Sequence, residues 1–212
     1  MNKLSFKTKI LLLMSMALLA IAVLAIGSLL QQRRMIIDAR QEQLTTAVQG
    51  AYSIVAAYQA KAASGAMSVE DAQTAAKNAL RVSRYGGPEG KTEYFYIWTL
   101  DGKGVMHPIK PEWEGKDMAG QIKDGAGTDI IKLLADAIRA SKDGRAFVPT
   151  QFARPGQQTL VPKTLYAIRL DAWNWMVGSG VYTDDVDKMV RDTLLFNLGI
   201  VAFVILAVGG IG

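Results

Sequence analysis

The apolar residues of this chain are concentrated in two uninterrupted runs, one near each end, and the segment between them is of mixed polarity. Ile10–Leu30 and Leu194–Ile211 contain no charged residue. A helix of roughly 20 apolar residues spans the hydrocarbon core of a bilayer. The pattern therefore predicts a transmembrane helix at 10–30, a second at 193–212, and a folded domain at 31–192 between them.

The charges beside the first run indicate an orientation. Lys3, Lys7 and Lys9 precede it, which favours a cytoplasmic segment 1–9 and an extracytoplasmic domain. Arg33 and Arg34 on the far side weaken this preference. A cleaved signal peptide is the alternative, but its apolar region is about 7–15 residues long, which is shorter than this run. Because the sequence stops at the end of the second run, we expect a cytoplasmic output module to be missing from it.

The stretch that follows the first run predicts a long helix, from Gln31 to Ser64 and continuous with the first span back to Phe6. Two rows of residues recur every seven positions: Ile37, Leu44, Ala51 and Tyr58, and Gln41, Val48, Val55 and Ala62. Such rows form a seam on one side of a helix. The seam would pack on the chain's own domain or on a second copy in a parallel homodimer, and both interpretations stay open.

The remaining segments predict an α+β domain with an antiparallel sheet of five strands. Ser68, followed by two acidic residues, predicts the start of a second helix that ends near Ser83. Alternating and β-branched stretches predict the strands, and an Asp101-Gly102 turn separates the first two. The predicted strands are 93–100, 105–107, 146–152, 159–170 and 174–182, with a helix at 128–141 and a last helix that begins at Asp184.

Composition excludes several classes of function. The formal net charge is +5, but no basic stripe stands out, so nucleic acid is not an expected partner. The chain has no cysteine and a single histidine, His107, with no acidic cluster around it. We find no nucleophile with a matching base and no phosphate-binding loop. The sequence therefore predicts neither an enzyme, a metal site nor a cofactor, and favours a sensor or binding domain.

A set of short motifs, in this order and spacing, resembles the single Cache domain of the second type. The motifs are Arg84-Tyr85-Gly86, Tyr94–Trp98, Asp101-Gly102, His107-Pro108, Gly115–Asp117, Pro162-Lys163, Trp173–Trp175 and Gly178–Tyr182 followed by Asp185. That domain is the extracytoplasmic sensor of many bacterial methyl-accepting chemotaxis proteins and of some sensor histidine kinases. The one departure is Asn174, where the family pattern usually has glycine.

The resemblance implies a PAS-like sheet behind the long helix and a small pocket for short carboxylates such as acetate, propionate, pyruvate or lactate. It also implies a bacterial inner membrane, with the sensor domain periplasmic or extracellular. We further expect a ligand to signal by displacing a helix across the membrane, toward cytoplasmic partners reached through the output module. The alternatives are the sensor region of a histidine kinase and a membrane-anchored, partner-binding domain with no small ligand.

Seven residues are candidates for this pocket, and each has a structural alternative. They are Arg84, Tyr94, Tyr96, Trp98, His107, Lys163 and Tyr166. Arg84 would grip a carboxylate through two parallel hydrogen bonds, or would serve as a cation at a helix end. Tyr94, Tyr96 and Trp98 share one face of a strand, where they would offer hydroxyl and indole donors or form aromatic core.

The other three candidates lie farther along the chain. His107 would donate to a carboxylate oxygen or make a structural hydrogen bond. Lys163 would supply a cation or would be a solvated strand residue. Tyr166 lies three residues after Lys163, so a regular strand would point it to the opposite face. Trp173 and Trp175 are expected to pack rather than to recognise a ligand.

Overall fold

The helices lie where the apolar spacing predicts them. The computed structural model describes residues 5–87, 89–90 and 92–209. Its helices are α1 (Phe6–Ala63), α2 (Val69–Val82), α3 (Ile130–Ala140) and α4 (Asp184–Gly209). The Oγ of Ser68 accepts the N–H of Asp71 at 3.0 Å, which confirms the predicted start of α2. Asp129 caps α3 in the same way, since its carboxylate accepts the N–H groups of Ile131 and Lys132.

An antiparallel sheet packs with these helices, as predicted for the α+β class. Its strands are β1 (Arg84–Tyr85), β2 (Glu93–Thr99), β3 (Gly104–Met106), β4 (Arg145–Ala153), β5 (Leu160–Leu170) and β6 (Trp175–Tyr182). The order is β1-β2-β6-β5-β4, and β3 also pairs with β2. The two-residue strand β1 is a sixth strand that the sequence did not predict, because two residues are too few to show an alternating pattern.

One face of the sheet packs on α1 and α2. Leu44, Val48 and Val55 of α1 are fully buried, together with Leu80 of α2, and they belong to the same apolar cluster as Phe95 on β2. This packing explains the seven-residue rows in that part of α1. The same side chains are not free to form a dimer seam, so a homodimer stays a prediction that would need another surface.

The opposite face of the sheet packs on α3 and on the loop that precedes it. Tyr94, Tyr96 and Trp98 of β2 point to this side, and Leu134 and Ile138 of α3 are completely buried against it. The predicted division of the β2 side chains between two faces is therefore confirmed. The cavity that these three side chains line therefore lies on this second face.

The turn between β5 and β6 explains the departure at position 174. Asn174 adopts a left-handed conformation, with φ 54°, and its Nδ2 donates to Asp101 Oδ2 at 2.8 Å. Asparagine is one of the few residues besides glycine that visit this region. The position therefore tolerates asparagine where the family pattern usually has glycine.

The chain divides into two units, Ala39–Asp184 and Met1–Asp38 with Asp185–Gly212. In the second unit, the Arg33 guanidinium pairs with Asp187 at 2.9 Å. Leu13, Leu19 and Leu24 are 66–73% exposed there, as expected for side chains that face lipid. Within the described residues, α1 is the one helix long and apolar enough to cross a membrane. The second predicted span, 193–212, ends in residues 210–212, which lie outside the described ones, and it stays a prediction.

Candidate ligand-binding site

A small cavity lies between the second face of the sheet, α3 and the loop after β3. Its volume is about 30 Å³, and one water molecule needs about 10–15 Å³ by the same measure. The cavity therefore suits a molecule of very few heavy atoms. Its lining consists of Tyr94, Tyr96, Trp98, His107, Trp113, Ile122, Ile130, Ile131, Leu134, Thr150, Phe152, Lys163 and Leu165.

Lys163 on β5 places a cation in this largely apolar space. The residue is 3% exposed, and its Nζ lies 3.3 Å from the Tyr182 hydroxyl and 3.4 Å from the Tyr94 hydroxyl. Nζ also lies 4.3 Å and 4.6 Å from the centroids of these two rings, close enough for cation–π attraction. Burial lowers the pKa of Lys163 to about 8, against the opposing effect of the Glu93 carboxylate. The ammonium is therefore the dominant form at neutral pH.

Glu93, at the start of β2, is the acidic neighbour of this lysine. It is 7% exposed, and its Oε2 is buried without a hydrogen-bond partner. Burial raises the pKa of Glu93, while the charges of Lys163, Arg154 and Arg40 oppose that rise. The cavity cation thus has a nearby but incompletely hydrogen-bonded counter-charge. A bound anion would supply a second one.

Two glycines on β6 make room for the lysine and the neighbouring tyrosine. A Cβ at Gly180 would lie 2.7 Å from Lys163 Cε and 2.6 Å from Leu165 Cδ2. A Cβ at Gly178 would lie 2.7 Å from the Tyr96 ring. These separations are shorter than van der Waals contact, so any larger residue would push the lining side chains into the cavity. The Gly178-Ser-Gly motif therefore has a steric role at the site.

His107 follows β3 and brings a neutral imidazole to the cavity. It is 4% exposed, and its Nδ1 accepts the N–H of Lys110 at 3.0 Å. In the neutral ring the proton then lies on Nε2, which becomes a donor. Burial and the Lys163 charge lower the pKa of His107 to about 3. The ring therefore stays neutral at physiological pH.

Thr150 on β4 is a lining residue that sequence reasoning missed. It pairs directly across the strands with Lys163, and its buried Oγ1 has no hydrogen-bond partner. A buried hydroxyl without a partner costs about 1–3 kcal/mol. Because Oγ1 makes no hydrogen bond here, it is available to a ligand both as a donor and as an acceptor. The alternation of Val148, Thr150 and Phe152 was visible in the sequence. The register that puts Thr150 opposite Lys163 was not.

The aromatic residues of β2 reach the cavity as predicted. Tyr94 offers its hydroxyl beside Lys163 Nζ, whereas the Tyr96 hydroxyl donates to the Ser179 carbonyl at 3.1 Å. Tyr96 and Trp98 thus contribute mainly ring surface. Trp113, which the sequence analysis did not select, packs edge-on against His107 with ring centroids 5.0 Å apart. Five of the seven predicted residues, including His107 and Lys163, line one cavity.

Arg84 and Tyr166 are the two predicted residues that do not line it. The Arg84 guanidinium donates to the carbonyl oxygens of Arg81 and Ser83, both at 2.8 Å, so it satisfies the C-terminal end of α2. Tyr166 points to the first face of the sheet, where it stacks on Phe147 with centroids 4.4 Å apart. The cation that the structure places at the cavity is Lys163. The alternation along β5 turns Tyr166 to the other face, and a ligand contact of Arg84 or Tyr166 stays a prediction.

A wider groove of about 770 Å³ adjoins the cavity on its outer side. Tyr94, Trp113, Ile122 and Phe152 line both spaces, so a single layer of side chains separates them. The charged residues that line the groove are Lys110, Lys123 and Arg154. Because its lining contains no carboxylate, the groove favours the approach of anions.

The donor set suits a carboxylate and does not suit a metal. Lys163, the His107 ring and the Thr150 hydroxyl offer hydrogen bonds from three strands or loops, and the remaining lining is apolar or aromatic. Within the part of the chain that the structure describes, no group of three or more His, Cys, Asp or Glu side chains could hold a metal ion.

Two known proteins are similar in sequence to this chain. Methyl-accepting chemotaxis protein McpP of Pseudomonas putida is 32% identical over 196 residues, which cover 89% of this chain and 35% of that protein. Sensor histidine kinase MctS of Rhizobium johnstonii is 31% identical over 97 residues, which cover 46% of this chain and 20% of that protein. The chain thus spans about a third or less of the length of these relatives.

Two solved structures and one family agree with the fold. A structure described as "Periplasmic sensor domain of chemotaxis protein" is 34% identical, with a TM-score of 0.64, covering 70% of this chain and 98% of that one. Another, described as "Structural basis for carboxylic acid recognition by a Cache chemosensory domain", is 32% identical, with the same TM-score and coverages of 70% and 97%. Residues 36–195 match the family described as Single Cache domain 2. The chain therefore belongs to the Single Cache domain 2 family.

Proposed function

We propose that this chain is the ligand-sensing part of a transmembrane chemoreceptor and that its cavity binds a short carboxylic acid. The observation that carries the proposal is Lys163, an ammonium buried in a small aromatic cavity beside the unpaired Thr150 hydroxyl. A buried cation needs an opposite charge and hydrogen bonds, and a carboxylate supplies both. The carboxylic acid recognition described for a structure 32% identical to this chain supports the same ligand class.

The small cavity admits only ligands with few atoms, and the number of ligand atoms limits the binding free energy. The best small ligands gain at most about 1.5 kcal/mol per heavy atom. Acetate has four heavy atoms, so its binding free energy is limited to about −6 kcal/mol, a dissociation constant of tens of micromolar. Three-carbon oxo- and hydroxy-acids would reach about micromolar affinity, because they add atoms and one more hydrogen-bonding oxygen.

A chain of contacts joins the cavity to the start of α4. Lys163 pairs across the strands with Tyr182, and the Arg154 guanidinium lies 4.4 Å from the Tyr182 ring centroid. Arg154 also pairs at 2.5 Å with Asp184, the first residue of α4. Arg40 of α1 donates to the Tyr182 carbonyl at 2.6 Å. A ligand that changes the Lys163–Tyr182 contact would therefore act on the first residue of α4, and helix shifts of about 1–2 Å carry signals in other receptors.

In this proposal the domain lies outside the cytoplasm of a bacterial inner membrane, with α1 and α4 leading into the bilayer. The lysines at positions 3, 7 and 9 and the exposed apolar side chains of α1 support that orientation. The output is chemotactic by similarity to the chemotaxis relative. A histidine kinase output is the second candidate, which the similarity to a sensor histidine kinase supports.

The ligand class is tested by calorimetry on the purified chain in lipid nanodiscs. The panel contains acetate, propionate, pyruvate and lactate, with acetamide as the uncharged counterpart of acetate and octanoate as an acid too long for the cavity. We expect micromolar binding of one or more short acids and none of acetamide or octanoate. Arg84→Ala removes a cation that does not line the cavity, so this variant should bind the same acids as the wild type does. A panel with no binding acid would refute the proposal and favour a partner-binding domain.

The proposed ligand-dependent displacement of α4 is tested by disulfide crosslinking between α1 and α4. The chain has no native cysteine, so Arg33→Cys with Asp187→Cys creates a single pair at positions whose side chains now form an ion pair at 2.9 Å. The expected result is a crosslinking rate that changes when the ligand found by calorimetry is added. A rate that is the same with saturating ligand would count against helix displacement, although not against ligand binding.

A further inference from the structure

The loop that carries His107 and Trp113 is held by an ion pair that lies outside the cavity. Arg81 Nη1 and Nη2 donate to Glu114 Oε1 and Oε2 at 2.6 Å and 2.8 Å. Two parallel hydrogen bonds of this kind are strong and orient both partners. Neither Arg81 nor Glu114 is among the cavity-lining residues.

Glu114 has a second contact, which reaches the cavity histidine directly. Its Oε1 also accepts the backbone N–H of His107 at 3.0 Å. Trp113, the residue next to Glu114, packs on the His107 ring and separates the cavity from the outer groove. The Glu114 carboxylate therefore restrains the His107 backbone. Through the adjacent residue it also restrains Trp113, which lies between the cavity and the outer groove.

Arg81 connects this carboxylate to the rigid part of the domain. It lies in the last turn of α2, next to the fully buried Leu80. Burial alone would raise the pKa of Glu114, but the hydrogen bonds from Arg81 and from the His107 N–H lower it overall. Glu114 therefore stays ionised at neutral pH, and the ion pair is maintained under physiological conditions.

We propose that Arg81 and Glu114 are positioning residues of the ligand site, whose ion pair holds His107 and Trp113 in the arrangement that closes the cavity. The ligand-binding consequence rests on the function proposed above, but the effect on His107 does not. Without the pair, the loop from His107 to Glu114 loses its link to α2. The imidazole then meets water, and the ring is no longer fixed against the cavity that it lines.

The first readout is NMR of the imidazole of the full chain in nanodiscs, which is unambiguous because His107 is the single histidine. The variants are Glu114→Gln and Arg81→Met, and Lys132→Met is the control because it removes an exposed ion pair on α3. In the wild type and the control, the ring should stay neutral down to a pH near its pKa of about 3. In both test variants the titration should move toward the ordinary value of about 6.5. In Glu114→Gln this rise must exceed the direct loss of the Glu114 charge, which raises the His107 pKa in the wild type.

The second readout is the affinity for acetate. We expect Glu114→Gln and Arg81→Met each to weaken binding about tenfold, although neither residue touches the ligand. The double variant should be no weaker than either single one, because the two residues act as one unit. Arg81→Lys keeps the charge but lacks the planar fork and should be intermediate, which also covers the case in which Arg81→Met fails to fold.

Two results would overturn the proposal. One is an unchanged His107 titration in both test variants. The other is an additive loss of affinity in the double variant, which would mean that the residues act independently. If the wild type itself binds no acid, the proposed function fails while the His107 titration still decides the role of the ion pair.

Discussion

Replacing Lys163 with methionine should change ligand binding and stability in opposite directions. Methionine has a similar length and no charge, so it fills the space under Tyr94 and Tyr182 without the ammonium. A hydrogen bond to a charged group contributes about 1.5–3 kcal/mol, so acetate should bind about 10–150-fold more weakly. The unliganded protein, in contrast, should become more stable at pH 7.

The expected gain in stability follows from the cost of burying the cation. The pKa of Lys163 is lowered from 10.5 to about 8, and each pKa unit corresponds to about 1.36 kcal/mol. Below pH 8 the folded protein therefore bears a cost of about 3 kcal/mol, which decreases as pH rises from 8 to 10.5 because the unfolded state then binds more protons. Methionine removes this cost, so the free energy of unfolding should rise by up to about that amount.

The pH dependence of binding has the opposite sign. The ligand is ionised throughout, so its affinity follows the protonated fraction of Lys163, which decreases about tenfold between pH 7 and pH 9 for a pKa of about 8. Acetate affinity of the wild type should therefore decrease about tenfold over this range, and the weak binding of Lys163→Met should not change.

Calorimetry at pH 7, 8 and 9 with urea unfolding at pH 7 measures both effects. Lys123→Met is the matched control, since Lys123 lines the outer groove but not the cavity. The control should keep its affinity within about twofold and the same pH dependence as the wild type. If Lys163→Met bound acetate as tightly as the wild type, the assignment of Lys163 as the ligand cation would be wrong.

Substitutions at three further positions test separate features of the domain. Thr150→Val removes the unpaired Oγ1, so the unliganded protein should be about 1 kcal/mol more stable in urea unfolding while acetate binds several-fold more weakly. A loss of stability as large as the loss of binding free energy would contradict a ligand role. Gly180→Ala introduces a Cβ within 2.7 Å of Lys163 Cε, so it should cost about 1–3 kcal/mol in stability and reduce acetate affinity in calorimetry, whereas wild-type behaviour would show that the strand has room to move. Asn174→Gly should be nearly neutral and Asn174→Ala should lower the unfolding free energy by about 1–2 kcal/mol, because the position is left-handed; equal stabilities would refute that reason.

Much of the architecture could be predicted because its determinants are local. The α1 helix and the cap of α2 depend on residue spacing and on a side chain three positions away, which are visible in the sequence. The two faces of β2 follow from alternation alone, so Phe95 and Tyr96 were assigned to opposite sides correctly. The two-residue strand β1 escaped prediction because it exists only through its pairing with β2.

The candidate site likewise combines residues whose orientation a local pattern predicts with residues whose role depends on tertiary contacts. Alternation already indicated that Tyr166 would face away from Lys163, and the structure shows that this local rule applies. For Arg84 the sequence left two roles open, and the carbonyl oxygens at the end of α2 decided for the structural one.

The sequence by itself determined the order of the helices and of five strands, the long apolar helix, the faces of β2 and the family. Only the tertiary structure decided which cation enters the cavity, that Thr150 lies opposite Lys163, and that Glu114 holds His107 from outside. The physical reason is distance along the chain. Helix spacing and strand alternation are set by neighbouring residues, whereas these contacts join residues brought together by strand register and loop packing, which no local pattern encodes.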